Sequence, residues 1–162
     1  MRFFWKALLA AAFLAGCADN RVYEDYVDFP ERHWLVSTQP AFKFNITDTA
    51  ARYNVVANVR NAVSYPYSRL FLKFHLTDTL GHEIQQDLVS EYLFDAKTGK
   101  PHGKSGLGDI YDHQITLLSN VDFSRPGFYS VTLEQFMRTD TLQGVLAVGL
   151  RVEKAGPKEN QK

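Results

Sequence analysis

The sequence predicts an all-β fold, a single β-sandwich with jelly-roll connectivity as one form of it. Three observations carry that prediction. Apolar and polar residues alternate in short runs, turn residues separate the runs, and no stretch keeps helical spacing between proper caps. The sandwich is expected over residues 31–154, between a distinct N-terminal segment and a short polar tail.

The N-terminal segment reads as an export signal. Arg2 and Lys6 precede an unbroken apolar run from Ala7 to Ala15, and no acid appears before Asp19. That run is too short to cross a hydrocarbon core of about 30 Å, so residues 1–16 fit a secretory signal peptide better than a membrane helix. Leu14-Ala15-Gly16-Cys17 then resembles the lipobox of bacterial lipoproteins, in which the cysteine becomes an acylated N-terminus. Cys17 is the sole cysteine, and its thiolate is the nucleophile that can carry diacylglycerol as a thioether. Each buried lipid CH₂ contributes about 0.8 kcal/mol, so two or three acyl chains hold a domain on a bilayer. Residues 17–30 are polar, dotted with tyrosine and closed by Pro30. They are expected to form a lipidated tether, resting partly on the domain through Tyr23 and Tyr26.

The body follows in strands. Phe42, Phe44 and Ile46 alternate with Lys43 and Asn45, and Tyr53, Val55, Ala57 and Val59 repeat the pattern. Leu70, Leu72, Phe74 and Leu76 interleave with Lys73, His75 and Thr77. Ile115 and Leu117 come next, then Tyr129, Val131 and Leu133, and finally Leu146, Val148, Leu150 and Val152. Asp48-Thr49, Tyr65-Pro66, Leu80-Gly81, Lys97-Thr98-Gly99, Arg125-Pro126-Gly127 and Gln143-Gly144 supply the turns. Glu134 to Arg138 is the nearest approach to a helix, and it is short. Residues 155–162 are expected to be a flexible tail.

Charge and chemistry narrow the function. Removing residues 1–16 from the 162 leaves 146, the size of one domain. The 18 basic residues lose Arg2 and Lys6, leaving 16 against 18 acids, a net −2. That balance argues against phosphate-driven nucleic-acid binding. With Cys17 acylated, no disulfide can form in the mature chain.

Gly103-Lys104-Ser105 looks like the end of a phosphate-binding loop, but no helix follows to supply N-terminal amides. It is expected to belong to a strand connection, without nucleotide. His33, His75, His82, His102 and His113 lack paired ligand spacing, and no serine stands in a Gly-x-Ser-x-Gly elbow. The chain is therefore expected to be no enzyme and to carry no metal or cofactor. An alternative is a carbohydrate-binding envelope lipoprotein, with Trp34, Tyr65, Tyr67 and Tyr111 as a stacking platform. Against it, large rings more often build cores.

The C-terminal third carries the most distinctive text. Gly127-Phe128-Tyr129 leads through Leu133-Glu134-Gln135-Phe136-Met137-Arg138 to Val148-Gly149-Leu150-Arg151-Val152-Glu153. With Val59-Arg60-Asn61, Tyr65-Pro66-Tyr67-Ser68 and Gly106-Leu107-Gly108-Asp109, this resembles the gliding motility lipoprotein GldH family of Bacteroidetes across most of residues 17–154.

The resemblance implies a membrane-anchored, non-enzymatic accessory or assembly factor of the gliding machinery and its linked protein secretion system. Its partners would be other envelope motility or secretion proteins. The residues after Cys17 lack an acidic run resembling a surface-export signal, which favours the periplasmic side of the outer membrane. Arg60, Asn61, Gln135 and Arg138 are the candidate partner surface, since charged and amide groups on a β framework make directional contacts. The competing reading gives them structural roles, with Arg60 and Arg138 pairing to Asp109 or Glu134. Thr49, Thr79 and Thr141 stand in Asp-Thr-aliphatic triplets resembling the O-glycosylation motif of exported Bacteroidetes proteins, at predicted turns where Asp-Thr is also ordinary turn chemistry.

Overall fold

The computed structural model describes residues 20–157; the signal peptide and Cys17 lie outside them. Every helical or strand element among the described residues is a strand. In chain order they are β1 (Arg21–Asp28), β2 (His33–Leu35), β3 (Ala41–Ile46), β4 (Ala51–Ala62), β5 (Arg69–Thr77) and β6 (Glu83–Tyr92). They continue with β7 (Lys104–Ser105), β8 (Ile110–Val121), β9 (Gly127–Gln135), β10 (Thr141–Gln143) and β11 (Val145–Pro157).

A five-stranded sheet in the order β1-β11-β4-β8-β7 packs against a four-stranded sheet in the order β3-β9-β5-β6, and β10 pairs with β2 separately. All pairings are antiparallel. The fold is a β-sandwich, as the alternation predicts.

The alternating residues meet between the sheets. Leu70, Leu72 and Phe74 are wholly buried from β5, opposite Val55, Ala57, Val148, Leu150 and Val152 from the larger sheet. Removing each large apolar side chain from water stabilises by about 1.5–3 kcal/mol. One end of this core is aromatic. Phe123 and Tyr129 have ring centroids 4.5 Å apart, and Phe44 and Tyr53 pack edge-on to Phe123 at 5.9 and 5.6 Å. Tilted and edge-to-face contacts suit the ring quadrupoles. Leu146 departs from its expected place: the register shifts between Val145 and Ala147, so Val145 joins Val148 in the core and Leu146 stays half-buried.

The largest correction concerns the tether. Over Arg21–Asp28 the expected linker is an edge strand, paired with β11 from Arg21↔Glu153 to Asp28↔Ala147. The ladder satisfies its backbone groups, Tyr23 packs on the core at 6.1 Å from Phe44, and Glu24 is held by Arg151. The expected tail is also partly strand, since β11 runs to Pro157. Glu134 and Gln135 finish β9 instead of starting a helix, and Lys104–Ser105 forms the short strand β7 on the edge of β8.

The topology gives the sandwich two unlike ends. Connections 47–50, 78–82 and 122–126 share one end with the start of β1 and the end of β11. Connections 63–68, 93–103 and 106–109, the β2–β10 pair and residues 136–140 crowd the other.

Candidate functional site

The four residues expected on a partner surface fall in three different places. Asn61 is 0% exposed and Gln135 1%, so neither belongs to a surface. Both are interior amides that service backbone groups. The Asn61 Nδ2 donates to the Ala62 carbonyl at 3.0 Å. The Gln135 Nε2 donates to the Thr139 carbonyl at 2.9 Å, while its Oε1 accepts the Met137 N–H at 3.0 Å. A buried backbone group left unpaired costs about 1–3 kcal/mol, which explains amides at these positions.

Arg60 is exposed on the outer face of the five-stranded sheet, where its Nε donates to Asp112 Oδ1 at 2.8 Å. Asp112, from the neighbouring strand, replaces the expected Asp109. This hydrogen bond, with the Asp112 charge behind it, raises the Arg60 pKa further.

The same face holds a second cluster around Glu24. Its Oε1 accepts from the Tyr26 hydroxyl at 2.9 Å, the Arg151 Nε at 3.1 Å and the Asn58 Nδ2 at 3.2 Å. Arg21 contacts the other oxygen. Burial alone would raise the Glu24 pKa, but the Tyr26 and Arg151 hydrogen bonds and the two arginine charges outweigh it and lower the value. The cluster closes β1 onto β11 and β4.

Arg138 lies on the other sheet's side, in the 136–140 connection, and makes no ion pair with any described residue. Gln135 shapes this connection by its two hydrogen bonds. The Phe136 N–H then donates to the Phe71 carbonyl at 2.9 Å, and the Met137 Sδ accepts the Phe71 N–H at 3.4 Å. The segment is thereby laid across the end of β5. A hollow forms there between Val36, Tyr67, Phe71, Leu88, Phe136 and Met137, with Glu134 and Arg138 at its rim. The sequence points to Arg138 as a candidate and not to the apolar floor, because Leu88 lies in a strand with no apolar alternation and Phe136 lies in a connection.

The proposed carbohydrate platform does not assemble. Trp34 is fully buried, donating its Nε1–H to the Thr38 carbonyl at 2.7 Å, and Tyr65 is 5% exposed and stacked on Phe94. Tyr67 alone of the four is exposed. Among the described residues, no three metal-ligating side chains gather.

Of the Asp-Thr triplets, two sit at turns. Asp48 Oδ1 accepts the Ala50 N–H at 3.0 Å, and Asp78 Oδ1 accepts those of Leu80 and His82 at 2.8 and 2.9 Å. Thr49 is half-buried and Thr79 exposed. Thr141 is instead the first residue of β10, paired with Leu35; the turn expected there is displaced by this short ladder.

Known proteins match along the whole domain. The "Gliding motility lipoprotein GldH homolog" of Christiangramia forsetii is 30% identical over 151 residues, covering 87% of this chain and 88% of that protein. The "Gliding motility lipoprotein GldH" of Flavobacterium johnsoniae is 28% identical over 153 residues, covering 90% and 92%. Among solved structures, the infectious bursal disease virus VP2 subviral particle aligns at TM-score 0.36 with 10% identity. That alignment spans 80% of this chain and 29% of that one, too distant a likeness to carry any argument. The profile described as "GldH lipoprotein" matches residues 21–152, from the first strand of the sandwich into the last, and the chain belongs to that family.

Proposed function

We propose that this protein is a Cys17-lipidated, non-enzymatic accessory or assembly factor of the gliding motility machinery and its linked secretion system. It acts by binding other envelope proteins from the periplasmic face of the outer membrane. The observation that carries this reading is the family match across residues 21–152, joined to relatives named for gliding motility. The lipobox-like Leu14-Ala15-Gly16-Cys17 supplies the anchor, and the apolar hollow beside Arg138 is chemistry suited to protein contact.

Deletion in the native host, complemented by wild type or by Cys17→Ala, tests the reading. Loss of secretion-dependent surface proteins on deletion is expected, with rescue by wild type and failure by Cys17→Ala. Normal delivery in the deletion strain would overturn the role. Full rescue by a Cys17→Ala protein that still fractionates with membranes would overturn the anchor.

A further inference from the structure

The hollow under Arg138 belongs to a larger patch on the outer face of the four-stranded sheet. Phe136, Leu88 and Tyr67 are 51%, 46% and 43% exposed there. Next to them, the Arg69 guanidinium lies 5.1 Å from the Phe71 ring centroid and 4.8 Å from that of Tyr92. Contiguous exposed apolar side chains are unfavourable unless something covers them, and Tyr, Phe, Met and Arg are the types enriched at protein interfaces.

The charges around the patch are one-sided. Lys73 stands between Leu88 and Glu134 in the ladders, yet neither it nor Arg138 makes an ion pair with a described residue. Arg69 is engaged by the Ser90 hydroxyl and two rings, and by no carboxylate among the described residues. Against these three cations stands Glu134, whose carboxylate lies 3.9 Å from His75 Nε2. The mature chain has a net charge of −2, so a cationic apolar patch is a local departure from the whole.

The patch is remote from the point where the proposed anchor joins the domain. Only residues 18–20 separate Cys17 from the first residue of β1, a reach of about 14 Å when fully extended. The patch lies toward the end of the sandwich opposite the start of β1, a strand length of about 30 Å away.

We propose that this patch docks a segment of another envelope protein carrying an apolar side chain flanked by carboxylates. The apolar side chain fills the hollow over Phe71, and the carboxylates meet Arg138 and Lys73. The proposal rests on the binding role given above and assigns it a surface and a partner chemistry.

Photo-crosslinking of the full-length protein in its native host tests it, with a benzophenone amino acid replacing Phe136 or Leu88, and Tyr26 or Thr79 as comparison positions. The 136 and 88 positions are expected to capture one envelope protein, through a peptide with an apolar residue beside Asp or Glu. The Arg138→Glu, Lys73→Glu pair should cut that yield about tenfold or more, with an unchanged melting temperature showing the fold intact. Capture of lipid, of a second copy, or of a peptide without acids overturns the proposal, as does a yield indifferent to charge reversal. Capture of motility or secretion proteins from Tyr26 or Thr79 alone overturns the patch and leaves the binding role standing. No capture of an envelope protein from any position overturns both.

Discussion

Tyr26 lies over the bare backbone of Gly149, its register partner across the β1–β11 ladder. A Cβ built on Gly149 would stand 2.5 Å from the Tyr26 Cδ1 and 2.7 Å from the Asp25 carbonyl oxygen. The ring can swing away; the carbonyl belongs to the ladder and cannot move without loosening β1. The Tyr26 hydroxyl is also one of the donors to Glu24, so the glycine permits the cluster that fastens the edge strand. Gly149→Ala is therefore expected to cost about 1–3 kcal/mol. It should raise amide exchange in residues 21–28 well above that in β4, and unchanged exchange in β1 would show that the contact is not needed.

Glu24 makes that fastening dependent on acidity. Its folded pKa is lowered from 4.5, so its contribution is fully present above that value. It is lost as pH falls through the lower, folded pKa. Glu24→Gln should cost about 1.5–3 kcal/mol at neutral pH, the range for hydrogen bonds to a charged group. It should also remove part of the decline in stability below pH 4.5. Denaturant melts of both proteins at pH 7 and below 4.5 check this; parallel losses in the two would mean that Glu24 does not titrate with folding.

What was legible in the sequence follows how each strand is buried. β5 alternates between buried and half-buried positions along its whole length, so its apolar period is visible in Leu70, Leu72, Phe74 and Leu76. β1 lies at a sheet edge with only Tyr23 and Glu24 half-buried. Its text mixes acids and rings on both faces and reads as linker, because its partners lie more than a hundred residues away. β6 overhangs the core, with most of its residues exposed, and carries no period either. Burial of Asn61 and Gln135 is invisible to pattern reading because each stands at the end of its strand and is fixed by backbone groups close by in sequence. Of the four residues expected on a partner surface, Arg138 alone lies on the cationic patch, whose ring and aliphatic members converge only through the topology.

Gln135 is expected to control that patch from inside. Its amide holds the Thr139 carbonyl and the Met137 N–H at once, which fixes Phe136, Met137 and Arg138 over β5. Gln135→Ala leaves both backbone groups unpaired and should destabilise by about 1–3 kcal/mol. The local signature matters more than the total. Hydrogen exchange should rise across residues 136–141 while β4 and β11 keep their protection, and a uniform rise would mean a purely global role.

His113 gives a second acid response, separated in pH from that of Glu24. Its side chain is buried, its Nε2 has no hydrogen-bond partner among the described residues, and a Cβ on Gly103 would stand 2.7 Å from that nitrogen. Burial pushes its pKa below 6.5; the Asp112 charge opposes this and His102 adds to it. The folded chain thus prefers the neutral ring, while the unfolded chain takes a proton once pH drops below 6.5. Stability is fully present above that value and falls as pH decreases toward the folded pKa. His113→Gln should flatten the stability curve in the interval just below pH 6.5, above the Glu24 transition. A wild-type curve already flat across that interval would show that burial does not disfavour the charged ring.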